Sequence, residues 1–108
     1  MILIPIRTGS GLNSREHHMA RSRRVKGERN AVGWHLMGKE RPQLPCTVLL
    51  TRIAPSSGLD SDNLSGALKA ARDAVADWLG IDDKDETQVR YAYAQKRGQW
   101  GIEVSFGP

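Results

Sequence analysis

The sequence predicts a single α/β (α+β) domain: a mixed β-sheet with two main helices, in the order β-α-β-α-β-β. Three observations lead there. Apolar residues alternate with period two in short runs near 1–8, 88–95 and 100–106. A nine-residue run, CTVLLTRIA at 46–54, is β-branched and apolar almost throughout. Two longer segments, 14–37 and 63–79, space their apolar residues as helices do. The chain has 108 residues, 39% hydrophobic and 26% charged. That is enough for one core and too little for a second domain.

Residues 1–8 form the first expected strand, with Ile2, Ile4 and Ile6 on one side. Pro5 has no N–H for a sheet ladder, which places this strand at an edge. Gly-Ser-Gly-Leu-Asn at 9–13 is a turn. Asn13 is a candidate cap for the first helix, with Glu16 three residues on in a capping-box position. Met19, Val25, Val32 and Leu36 lie near its apolar face, while Gly27 and Gly33 weaken it by about 1 kcal/mol each. Gly38, Pro42 and Pro45 make 38–45 a loop, 46–54 a buried strand, and Pro55-Ser-Ser-Gly58 its end. The strongest helix runs from Asn63 to Leu79, where Leu64, Ala67, Leu68, Ala71, Val75, Trp78 and Leu79 make one apolar stripe. Gly80 sits where a left-handed residue closes a helix. After a polar loop at 82–86, the runs 88–95 and 100–106 read as a hairpin turning at Lys96-Arg97-Gly98. Trp34, Trp78 and Trp100 are expected in the core.

Charge is distributed unevenly around a net of +4. Residues 1–45 hold nine Lys and Arg against three Glu, a net of +6. Residues 46–108 hold seven against nine acids, a net of −2. A basic front suits a polyanion, and Arg15, Arg21, Arg23, Arg24, Lys26 and Arg29 are its candidate phosphate contacts. The plainer alternative is a solvated helix face. The lone Cys46 rules out an internal disulfide and a zinc–thiolate cluster, which fits a reducing cytoplasm. No run approaches the roughly 18 apolar residues of a membrane span, and the apolar start lacks the basic flank of an export signal. Ser/His/Asp sets and phosphate-cradling glycine loops are missing, and the adjacent His17 and His18 point to different helix faces.

The informative stretch is Gly58-Leu-Asp60-Ser-Asp62-Asn63-Leu64. In an extended segment Asp60 and Asp62 point the same way and could face one hard cation such as Mg²⁺. For Asp62 alone a helix cap is the simpler role, but a cap leaves Asp60 unexplained. Lys69, seven residues after Asp62, rises over the same helix edge and could lean back towards the carboxylates. Gly66 between them leaves open space. The competing role for Lys69 is a surface pair with Asp73 at i+4. Asp82 or Asp83 could add a third carboxylate only if their loop folds back or a neighbouring subunit brings it, since a helix of this length separates its ends by about 25 Å. Otherwise the acidic run is a solvated loop.

Asp60-Ser-Asp62-Asn63-Leu64, then Leu68-Lys69-Ala70-Ala71-Arg72-Asp73, then Trp78-Leu79-Gly80-Ile81-Asp82-Asp83, resembles the phage and prophage branch of the RusA family of Holliday junction resolvases. The likeness covers roughly residues 58–106, and Leu12-Asn13-Ser14-Arg15-Glu16-His17 resembles that branch less specifically. It implies a small α/β homodimer and Mg²⁺-dependent endonuclease activity on branched DNA. It also implies a carboxylate metal site at Asp60, Asp62 and Asp83, with Asp82 as the alternative to Asp83, and Lys69 offsetting phosphate charge. In the best-known branch the functional lysine comes four residues after the second aspartate, where this chain has Gly66. The competing expectations are a DNA-binding protein without catalysis and an interaction module that meets no nucleic acid.

Overall fold

The computed structural model describes residues 1–9, 18–56, 58–82 and 84–108. They form β1 (Ile2–Ile4), α1 (His18–Leu36), β2 (Cys46–Ala54), α2 (Ser61–Ala67), α3 (Lys69–Leu79), β3 (Val89–Arg97) and β4 (Gly101–Gly107). The result is a small α+β domain: one four-stranded mixed sheet and three helices. The strands lie in the order β1-β4-β2-β3. β2 pairs parallel with β3 and antiparallel with β4, and β1 pairs antiparallel with β4. As Pro5 requires, β1 is an edge strand, and it ends at Ile4 rather than residue 8.

The expected β3–β4 hairpin does not form. β2 lies between them, and both pair with it rather than with each other. The physical reason is the composition of β2. Its last five residues are all buried, so it needs neighbours on both edges to satisfy its backbone. Residues 98–100 therefore pass across the end of β2, where the Gly98 N–H donates to the Ala54 carbonyl at 3.1 Å. A Cβ at Gly98 would lie 2.9 Å from Ile53 Cγ2, so the crossing needs a residue without a side chain.

Register decides the inner face. Val48 of β2 stands beside Tyr91 and Phe106, Leu50 beside Tyr93 and Val104, and Ile4 beside Ile102. Leu64, Leu68, Ala71 and Val75 of α2 and α3, with Val32 and Leu36 of α1, belong to the same core. On α1 only part of the expected apolar face is buried. Val32 and Leu36 are fully buried, whereas Met19, Val25 and Trp34 are exposed, Trp34 by 71%. Trp34 is thus not a core residue, because it stands across the helix from Val32 and Leu36. Trp78 is half-buried and tilts against Phe106 at 5.8 Å. Asn13 and Glu16 lie outside the described residues.

The long second helix is two helices. It begins at Ser61, two residues before the expected start, and breaks at Leu68. Leu68 leaves helical geometry at φ −99° and ψ 2° while its N–H still bonds the Leu64 carbonyl at 3.1 Å. Gly66, the one glycine of the segment, lies two residues before the break, where a helix is easiest to deform. Gly80 closes α3 in the left-handed conformation at φ 74°.

Leu68 is wholly buried at this joint. Replacing it with Ala should cost about 2–5 kcal/mol through lost burial and a residual cavity. In urea unfolding the midpoint should drop with little change in slope.

Candidate nucleic-acid and metal site

The loop from β2 to α2 is pinned to β3 by one side chain. The Leu59 N–H donates to Gln95 Oε1 at 2.9 Å, and Gln95 Nε2 donates to the Leu59 carbonyl at 2.7 Å. A Cβ on Gly58 would lie 3.0 Å from this amide, so the loop approaches β3 as closely as it does because position 58 is glycine. The pinning delivers Asp60 to the start of α2.

Asp60 is the helix cap. Its backbone is extended, and its Oδ1 accepts from the Asn63 N–H at 2.9 Å and from Asn63 Nδ2 at 3.0 Å. The expected roles are therefore exchanged: Asp60 caps, and Asp62 stands in the first turn, exposed, with no partner among the described residues for its carboxylate. The exchange follows from the earlier helix start. Negative charge at both positions suits the helix dipole. One oxygen of Asp60 and the whole Asp62 carboxylate remain for a ligand. Hard oxygen donors of this number suit Mg²⁺, which commonly binds through one or two carboxylates and keeps several waters. Among the described residues no group of three or more His, Cys, Asp or Glu side chains could hold a metal.

The remaining candidates do not join Asp60 and Asp62. Lys69 does not lean towards Asp60 and Asp62. The break at Leu68 interrupts the helix edge that would have aligned it, and its Nζ pairs with Asp73 at 3.0 Å. Asp82 lies past the far end of α3, whose eleven residues span about 17 Å. There it accepts the Lys84 N–H at 2.9 Å. A shallow groove beside α3, about 310 Å³, is lined by Lys69, Asp73, Asp77 and Asp82 together with Arg29 and Lys84. Asp83 and Arg15 lie outside the described residues.

The basic residues of α1 do not share one free face. Arg24 pairs with buried Glu28 at 3.1 Å, and Glu28 also accepts the Gly9 N–H at 2.9 Å, which ties the chain after β1 to α1. Arg29 is paired with Asp77 of α3, and Arg21 is half-buried. Arg23 and Lys26 are exposed. At helical spacing they share the outward face with Met19, Asn30, Trp34 and Met37, all exposed as well. This mixed basic and apolar stripe escaped the sequence reading because Trp34 was assigned inward.

Sequence reasoning also missed Arg52. It is 4% exposed, on the inner face of the sheet, in phase with Val48 and Leu50. Its Nε donates to the buried Thr8 hydroxyl at 3.3 Å, and its guanidinium lies 5.6 Å from the centre of the Trp100 ring. Arg7 stacks on the same ring at 4.9 Å. Burial pushes the Arg52 guanidinium below the ordinary arginine range. An arginine in phase with the buried residues of CTVLLTRIA was the available signal.

The two aspartates should separate in stability measurements. Asp60→Ala removes the cap and should cost about 1 kcal/mol, whereas Asp62→Asn should cost less than about 0.5 kcal/mol, as one exposed charge near a helix end. Thermal denaturation of both variants at neutral pH checks this. Compared with models of protein families, with characterised proteins and with solved structures, the chain matches none.

Proposed function

We propose that this chain is a RusA-like, Mg²⁺-dependent endodeoxyribonuclease that acts as a homodimer on four-way junctions or related branched DNA. The observation that carries the reading is the Asp62 carboxylate. It stands without a partner among the described residues in the first turn of α2, two residues after Asp60, whose loop is clamped to β3, within the motif that resembles the resolvases. Asp60 and Asp62 would hold the ion. When bound, Mg²⁺ supplies activation of water and stabilisation of the departing 3′-oxygen. The cap on Asp60 occupies one carboxylate oxygen and leaves the other for a ligand. Lys69 would exchange Asp73 for a phosphate, an inexpensive exchange because an exposed pair is worth at most about 1 kcal/mol. Arg23 and Lys26 would contact backbone phosphates, with Trp34 offering a ring to an unpaired base at the junction. A third carboxylate, Asp83 or Asp82, would come from the partner subunit, which suits a two-fold enzyme making paired nicks.

A second reading, DNA binding without catalysis, is favoured by one observation. Asp60 and Lys69 already have partners within the chain, as a cap and a surface pair need nothing more. Both readings suit a reducing cytoplasm, which a lone buried Cys46 fits; a phage or prophage source follows from the resemblance alone. No helix among the described residues is long and apolar enough to cross a membrane.

Cleavage of a synthetic four-way junction separates the two. The nuclease reading expects symmetric nicks with Mg²⁺, none with EDTA, and little cutting of linear duplex. Asp62→Asn should lower cleavage by at least about a hundredfold, on the order of losing a positioned ionic group, while junction binding persists. Tight binding with no cleavage under any condition selects the second reading.

Basic residues on α1 give a further expectation. Replacing Arg23 and Lys26 together with Gln should weaken junction binding at 50 mM salt and reduce the log–log salt slope by about two, one for each phosphate contact. The equivalent change at Arg24 should instead destabilise the fold by removing a cation that pairs with buried Glu28. Fluorescence anisotropy with a labelled junction reads the first effect, and thermal denaturation the second.

A further inference from the structure

A buried arginine without a carboxylate is an unusual thing for a small domain to retain. Removing a guanidinium from water costs several kcal/mol unless an opposite charge or a full set of hydrogen bonds replaces the hydration. Arg52 has neither. It is 4% exposed; among the described residues its one hydrogen bond runs from Nε to Thr8, and its two terminal nitrogens make none and keep only a small contact with solvent. Trp100 offers one π-face, which compensates only in part. The charged residues that share its ring or its cavity are cations. Arg7 shares the Trp100 ring, and Lys96 and Arg97 stand with Arg52 around a cavity of about 210 Å³. Ser56, Gly58 and Gln95 complete its lining. Lys96 is neutralised by Glu103 at 2.7 Å, whereas Arg97 has no partner among the described residues.

We infer that this cavity is a binding site for a backbone phosphate of a DNA strand, with the Arg52 guanidinium as its principal ligand. Two fixed terminal nitrogens suit a phosphate, which a guanidinium can hold through two parallel hydrogen bonds. Thr8 and Trp100 hold the fork in place, so little side-chain freedom is lost on binding. Arg97 adds a second positive charge from the rim. Burial lowers the guanidinium's affinity for its proton, and a bound anion would restore it. Gly58 joins the cavity to Asp60, two residues further on. The phosphate held by Arg52 therefore lies next to the carboxylates along the strand, and Arg52 serves as a positioning residue for the proposed nuclease. In that placement the inference rests on the nuclease reading; the cavity itself does not.

Titration of the isotope-labelled full chain with inorganic phosphate, against sodium chloride at equal ionic strength, tests the cavity directly. The NMR signals of the Arg52 Nε–H and the Gly58 amide should move saturably with phosphate and not with chloride. Equal shifts in both salts would overturn the proposal. Binding to a labelled four-way junction tests the source of the phosphate. Arg52→Gln should weaken binding about tenfold, as expected for one charged hydrogen-bonded contact, and lower the salt slope by about one. Arg52→Lys should recover part of the affinity. If Arg52→Gln does not fold, Arg97→Gln provides the same comparison from the rim, with a smaller loss expected. An unchanged slope in folded variants means the cavity takes free phosphate only, and sinks the DNA assignment. Cleavage distinguishes the two proposals. A junction bound through Arg52 but never cut with Mg²⁺ removes the nuclease reading and leaves the cavity. Normal cutting by Arg52→Gln removes the positioning role of Arg52 and leaves the nuclease.

Discussion

Both edges of β2 are occupied, one by β3 and one by β4, and everything else in this domain depends on that pairing. Nine residues, with the last five buried, cannot leave either row of backbone groups unpaired. Once β2 is central, the link between β3 and β4 has to cross its end, and a glycine has to stand at the crossing. The same end of β2 receives the start of α2 through the Gln95 clamp. The loop that carries Asp60 and leads into Asp62 on α2 is thereby held against a finished sheet edge rather than left to its own preferences.

Local sequence was a good guide wherever one short-range rule acted alone. The boundaries of β2 came from composition, the edge position of β1 from Pro5, and the stop of α3 from Gly80, and all three hold. The alternation in 88–95 and 100–106 also located β3 and β4 to within two residues. Which strand pairs with which was not legible, because a short connection between two alternating runs looks the same with or without a third strand between them. The helix break was hidden for a related reason. Leu68 fits the apolar stripe perfectly, and the stripe records burial rather than backbone continuity.

The candidate site divides along similar lines. Asp60 and Asp62 were recognisable from spacing and from their place between a buried strand and a helix, although their roles proved to be exchanged. Lys69 was placed by assuming an unbroken helix, and that assumption failed at one residue. Arg24 and Arg29 counted as surface charge because sequence does not show that Glu28 turns inward or that Asp77 meets α1 across the helix pair. Arg52 was overlooked for the opposite reason. Its neighbours are so apolar that the run was read as a strand and its one charge passed over.

The pairing of β1 with β4 has a temporal side. Ile2 and Ile4 precede their partners Val104 and Ile102 by about a hundred residues in the chain. Until β4 is made, the chain carries an apolar segment with nowhere to go. The sheet closes only once β4 has followed, about 5–20 seconds behind β1 at the usual rate of about 5–20 residues per second. Contacts so distant in sequence slow folding and lengthen the exposure of unpaired edges. β1 has only three residues in the ladder and Pro5 immediately after it, so the waiting segment is a poor template for another chain. A longer or more regular first strand would strengthen the finished sheet and make the nascent chain more prone to aggregate.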